Sequence, residues 1–158
     1  MDYYQGVVTE FLRADRATFI NTEFCIQLSD DPNKFEKGRH WFCDAVAINF
    51  REETIYLCEV TFAQNPAALL NRLQAWATHW DEVPIAIRRY ASLGAVLEAY
   101  TVRPWLFVPK IGRISLETKI SKASLPFVPR ITNLEETAPW KYRSWDRRDE
   151  IQSVEVEC

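Results

Sequence analysis

Over residues 4–16 the apolar side chains Tyr4, Val7, Val8, Phe11 and Leu12 recur three and four apart, which predicts a helix with one apolar stripe. Glu10 lies at the edge of that stripe. The period then drops to two: in TFINTEFCIQL (18–28), Ile20, Thr22, Phe24 and Ile26 alternate with Asn21, Glu23 and Gln27, as in a strand. SDDPNKFEKGR is polar, holds Pro and Gly, and reads as a loop. HWFCDAVAINF (40–50) and IYLCEVTFA (55–63) read as two further strands, joined tightly through REET. Asn65 and Pro66 open a helix in which Leu69, Leu73, Trp76 and Trp80, with Leu70 and Ala77, recur at three and four. Residues 84–98 read as a second helix from Pro84, weakened at Gly94, and 99–109 as a strand that Pro104 breaks or confines to an edge. Past Lys110 the pattern loosens: PFVPRI suits an extended edge segment, and APWKYRSWDRRDEI a closing helix from Pro139. The predicted order is helix, three strands, helix or helices, strand and a basic tail.

A hairpin turning through Glu52 and Glu53 sets Phe50 against Ile55, Asp44 against Thr61 and Val46 against Glu59. Asp44, Val46, Ile48 and Phe50 then share a face with Ile55, Leu57, Glu59 and Thr61, leaving Asp44 and Glu59 as diagonal neighbours, roughly 5–8 Å apart at Cβ. Two carboxylates so close in a half-buried sheet repel each other and are costly to desolvate. A divalent cation offsets both effects, and oxygen ligands at this spacing suit Mg²⁺ or Mn²⁺. An Arg or Lys partner, or a solvated sheet edge, offsets them equally well.

At 158 residues the chain has the size of one domain, 1–158, with 47% hydrophobic and 26% charged residues, which suits a soluble globular protein. The start lacks a basic leader followed by an apolar run, and no segment reaches the roughly twenty apolar residues of a bilayer span, so a cytoplasmic protein without a membrane partner is expected. Cys25, Cys43, Cys58 and Cys158 occur singly, and read as reduced residues rather than a zinc site. His40 and His79 stand in no ligand or nucleophile motif, which argues against His-dependent acyl transfer and zinc chemistry. Gly6, Gly38, Gly94 and Gly112 are too dispersed for a phosphate-cradling loop. The net charge of −3 is unevenly spread: residues 1–100 carry −5, 101–148 carry +6 and 149–158 carry −4. A basic segment inside an acidic chain is either a solvated face or a surface that follows phosphates; charge alone favours the former.

An acid-bearing first helix, a strand, an Asp strand in hairpin with a Glu-x-x strand, then an amphipathic helix and a strand resembles the core of the PD-(D/E)XK nuclease-like superfamily. The matching residues are Asp44 in FCDAVAIN and Glu59 to Thr61 in CEVTF, with Glu10 matching the acid of the first helix. The resemblance spans roughly residues 4–110, leaving 111–158 as a basic extension. It implies an α/β fold with a restriction endonuclease-like αβββαβ core, a mixed central sheet flanked by helices. It also implies a metal-dependent phosphodiesterase acting on nucleic acid, with Asp44, Glu59 and the backbone carbonyl of Val60 holding Mg²⁺ or Mn²⁺.

Two positions depart from the family. Cys43 stands where the family name has Pro, and Thr61 where it has the catalytic lysine. A hydroxyl orients water but supplies no positive charge. Some members draw the cation from the following helix, where the candidate is Arg72, with Gln74 and Gln64 as further polar groups; an arginine on a solvated helix face is the plainer reading. Trp105, Trp140, Tyr142 and Trp145, interleaved with Lys141, Arg143, Arg147 and Arg148, either stack bases or bury against the sheet. The expected activity is therefore a metal-dependent nuclease, most readily of DNA. The alternatives are a catalytically inactive nuclease-like module that binds nucleic acid or protein, and a structural domain with salt-bridged acids. An edge strand near Trp105 and the six tryptophans also suit a homodimer.

Overall fold

The computed structural model describes residues 1–90 and 94–142. Helix α1 spans Tyr3–Arg13 and strands β1, β2 and β3 span Thr18–Gln27, His40–Asn49 and Thr54–Val60. Helices α2 (Ala67–Thr78) and α3 (Val83–Tyr90) lead to β4 (Thr101–Val108), which is followed by α4 (Lys110–Lys122) and β5 (Arg130–Asn133). The five strands form one open mixed sheet in the order β1-β2-β3-β4-β5. β1, β2 and β3 are antiparallel neighbours, while β4 runs parallel to β3 and β5 parallel to β4. Among the described residues no helix is long and apolar enough to cross a membrane.

Helices cover both faces. On one, α1 packs Val8, Phe11 and Leu12 on Ala45, Ala47, Tyr56, Cys58, Trp105 and Phe107. On the other, Leu69, Leu73 and Trp76 of α2, Ala86 and Ile87 of α3 and Leu116 of α4 cover Val46, Ile55, Leu57 and Leu106. Both parallel crossovers thus run over the same face. α1 is fixed at its start by a reciprocal capping box between Asp2 and Gln5, which satisfies two backbone donors that the helix leaves open.

Three elements differ from the sequence expectation for identifiable reasons. β4 is continuous and interior, because β5 pairs with it from Trp105 onward; Pro104 lies one residue before that pairing, where a missing N–H costs no ladder bond to β5. The open edges are therefore β1 and β5, and none lies at Trp105. The loose pattern after Lys110 is α4. Its apolar residues point in different directions, Ile111 and Ile114 to solvent and Leu116 to the core, so no stripe is visible. Gly112 lets this helix approach the loop after β3, since a Cβ there would lie 3.2 Å from the Gln64 carbonyl oxygen. The closing helix reduces, within the described residues, to one short 3₁₀ turn at Pro139–Lys141; its remainder lies outside them.

The β2–β3 hairpin is shifted by two residues from the expected register: Asn49 pairs with Thr54 and Val46 with Leu57 rather than Glu59. The turn takes residues 50–53 rather than 51–54 because the Asn49 Oδ1 accepts the Arg51 and Glu52 N–H groups at 3.0 and 2.9 Å and Glu53 adopts a left-handed φ of 50°. A shift of two keeps side chains on their faces, so Val46 and Ile48 still pack with Ile55 and Leu57.

At Asp44, however, the alternation breaks. Ala45 and Ala47 face α1, and Val46 faces α2 and α3, yet Cys43 and Trp41 also pack on the α2 side. β1 does the same: Ile20 packs on the α1 layer, while Phe24 and Ile26 pack on the other. Between them Glu23 sits at φ 54°, a left-handed conformation that costs a non-glycine residue about 1 kcal/mol. Both strands therefore kink together at Glu23 and Asp44.

Candidate active site

The kink turns Asp44 out of the facing set expected for it and toward the end of β3 and the first turn of α1. Its Oδ2 accepts the backbone N–H of Val60 at 2.7 Å, and its Oδ1 accepts the side-chain amide of Gln5 at 2.6 Å. The same Gln5 caps α1 through its carbonyl oxygen, so the helix start and the carboxylate are positioned together. Burial raises the Asp44 pKa above its usual value, opposed by the Val60 N–H, the Gln5 amide and the charge of Arg72.

Glu59 closes the other side. It is buried on β3, one residue beyond the last β2–β3 pair, Ala45 and Cys58. Its Oε1 accepts Arg72 Nη1 at 2.9 Å, and the same nitrogen donates to the Phe42 carbonyl at 2.7 Å. Burial, reinforced by Asp44, outweighs the guanidinium and pushes the Glu59 carboxyl up to about 8. Beneath the pair, burial also pushes the Cys43 thiol well up; its Sγ lies 3.1 Å from the Ala45 and Cys58 carbonyl oxygens. Cys43 is thus a packed floor residue.

The remaining predicted residues separate. Thr61 follows β3, with its N–H donating to the Phe107 carbonyl at 3.0 Å and its Oγ1 accepting the Ala63 N–H at 3.2 Å. Gln64 and Gln74 are exposed. Glu10 is exposed and pairs with Arg13 at 3.0 Å, so α1 brings Gln5, not Glu10, to Asp44. The chain gave one signal for Gln5: Asp-x-x-Gln at residues 2–5 is the spacing of a capping box and fixes Gln5 in the first turn.

The described arginines of the basic segment are occupied with the fold, while Lys110, Lys119, Lys122 and Lys141 are exposed. Arg103 donates to the Val128 carbonyl, Arg113 pairs with Glu117, and Arg130 pairs with Glu52 while stacking 4.0 Å above Trp105. Trp105 is buried against Phe107 and Tyr56, and Tyr142 packs edge-on to Phe11. Trp140 is exposed, whereas Arg143, Trp145, Arg147 and Arg148 lie outside the described residues.

Among the described residues no group of three or more His, Cys, Asp and Glu side chains is arranged to hold a metal ion. Mg²⁺ and Mn²⁺ need less than such a group: one or two carboxylates, with waters and substrate phosphate completing the shell. Asp44 and Glu59 fit this requirement by donor type. Burial is the first cause of both raised pKa values, and a bound divalent cation would draw both groups back to the carboxylate form. Compared with protein-family models, curated proteins and solved structures, the chain matches none.

Proposed function

We propose that the protein is a metal-dependent nuclease that hydrolyses phosphodiester bonds, most readily of DNA, on a PD-(D/E)XK-like scaffold. The observation that carries this reading is Asp44 held on the N–H of Val60, the residue that follows Glu59 on β3, with the cation of Arg72 delivered to Glu59 from the next helix. Further support comes from the order helix, three antiparallel strands, helices, parallel strand, with helices on both sheet faces, as the resemblance requires.

Asp44, Glu59 and the Val60 carbonyl would hold Mg²⁺ or Mn²⁺, whose chemistry is to acidify a bound water and to stabilise charge on the phosphate. Gln5 and the Val60 N–H fix the Asp44 carboxylate in place. Arg72 takes the electrostatic role of the absent lysine. A guanidinium stabilises negative charge in the transition state but does not serve as a base. A base, where one is needed, comes from solvent or the substrate.

A second reading rests on the same arginine. A guanidinium bonded to both Glu59 and the Phe42 carbonyl also suits a structural bridge in an inactive binding module. Plasmid nicking with Mn²⁺ separates the two. Nicking by the wild type, lost in Asp44→Ala and Glu59→Ala and reduced about a hundredfold in Arg72→Ala, supports the nuclease. No nicking, together with a lowered melting temperature in Arg72→Ala, supports the bridge.

A further inference from the structure

The first turn of α1 and the chain leaving β3 serve Asp44 and also line a cavity of about 430 Å³. Tyr4 precedes the Gln5 whose amide holds Asp44, and Phe62 stands two residues beyond the Val60 whose N–H holds its other oxygen. Besides these rings the lining includes Tyr3, Gln64, Glu135 and Trp140.

Its aromatic groups are offered rather than buried. Tyr3 is 78% exposed, Phe62 60% and Trp140 82%, whereas the aromatic cluster of Trp105 and Phe107 in the same α1 layer is sealed. Tyr4 and Phe62 stack on each other at 5.2 Å with planes 24° apart, a two-ring wall that a further ring can extend from its exposed Phe62 end. Among the described residues the lining contains no lysine or arginine, and its one carboxylate, Glu135, accepts the Lys110 N–H at 3.0 Å. Such a cavity is unsuited to a phosphate and suited to an uncharged planar ring with polar edges, which Gln64 can address.

We propose that this cavity takes an unpaired nucleobase of a single-stranded nucleic acid, stacked on the Tyr4–Phe62 wall and Trp140, beside the phosphate engaged at Asp44 and Glu59. The proposal rests on the nuclease reading for the position of that phosphate. A base inside a duplex has both faces covered by its neighbours, so the ring faces select single strands, frayed ends or flaps.

The test is fluorescence anisotropy with the full chain in Ca²⁺, using a labelled oligothymidylate and a duplex of equal length. The expected result is tighter binding of the single strand, weakened about tenfold or more by Trp140→Ala and by Phe62→Ala and largely kept in Trp140→Phe. Duplex binding and melting temperatures stay unchanged, since the altered rings are exposed. Equal affinity for both forms, absence of binding, or indifference to both alanine variants overturns the proposal. Mn²⁺-dependent nicking on the same samples keeps the two readings apart. Nicking with indifferent alanine variants removes the base site alone, and ring-dependent binding without nicking by the wild type removes the nuclease alone.

Discussion

Asp15 and Glu59 are both buried carboxylates paired with an arginine, and they lie at opposite ends of the β2–β3 hairpin. Asp15, at the turn end, receives Arg51 through both terminal nitrogens at 2.8 and 3.1 Å, the Asn49 amide at 3.3 Å and the Ala17 N–H at 3.0 Å. These donors come from its own loop and from the hairpin turn, and the cluster holds that turn in its four-residue form. Glu59 receives one nitrogen of an arginine that is also engaged by a carbonyl, precedes the Val60 whose N–H holds Asp44, and has its pKa pushed to about 8 by burial. The first carboxylate is saturated by the fold, and the second is one whose charged form burial disfavours. A buried acid shifted in this way beside a specific charged partner marks a functional candidate more than a fully bonded one does.

The comparison breaks most easily at the saturated end. Arg51→Ala leaves the Asp15 carboxylate buried without its bidentate partner, with an expected cost of about 3 kcal/mol in urea unfolding. A loss no greater than that of an ordinary surface substitution would mean that the two ends are not different in kind.

At the Glu59 end the expected signature is a pH dependence of stability in metal-free protein. The folded Glu59 keeps its proton to about pH 8, whereas the unfolded one releases it near its ordinary value of 4.5. Between these limits the folded state binds more protons, so stability declines as pH rises through that window and levels off above it; the raised pKa of Asp44 acts in the same sense. Glu59→Gln should flatten that decline in melting temperature measured against pH. An unchanged slope would assign it to other groups.

Smaller effects follow from the support around the site. Gln5→Ala removes the amide that orients Asp44 and should weaken metal binding by about tenfold with little change in fold. Glu10→Ala removes only an exposed pair with Arg13 and should shift stability by less than about 0.5 kcal/mol and leave any activity intact.

How far the chain disclosed this arrangement depends on the physical scale of each feature. The strands were legible because strong apolar alternation fixes which residues face the core, and the faces of Val46, Ile48, Ile55 and Leu57 survived a two-residue error in register. The register itself depends on one side chain, Asn49, bonding two backbone groups of the turn, which periodicity does not report. The kink at Asp44 was hidden for a similar reason. Glutamate is not a residue that announces a left-handed φ, so nothing at Glu23 signalled it. Asp44 and Glu59 stood out as acids among apolar neighbours, and Arg72 as a cation on the following helix. Gln5 was concealed by being a polar residue on a polar helix edge. α4 was concealed because two of its isoleucines face solvent.

The account's central claim is that Asp44 and Glu59 together form a divalent cation site, and Mn²⁺ titration by calorimetry on the wild type and on Asp44→Ala tests it most directly. Binding of Mn²⁺ by the wild type, lost in the variant while the variant's melting temperature is retained, is the predicted result. A wild type that binds no Mn²⁺, or an Asp44→Ala variant that binds it equally well, would contradict the claim and return Glu59 and Arg72 to a structural pair.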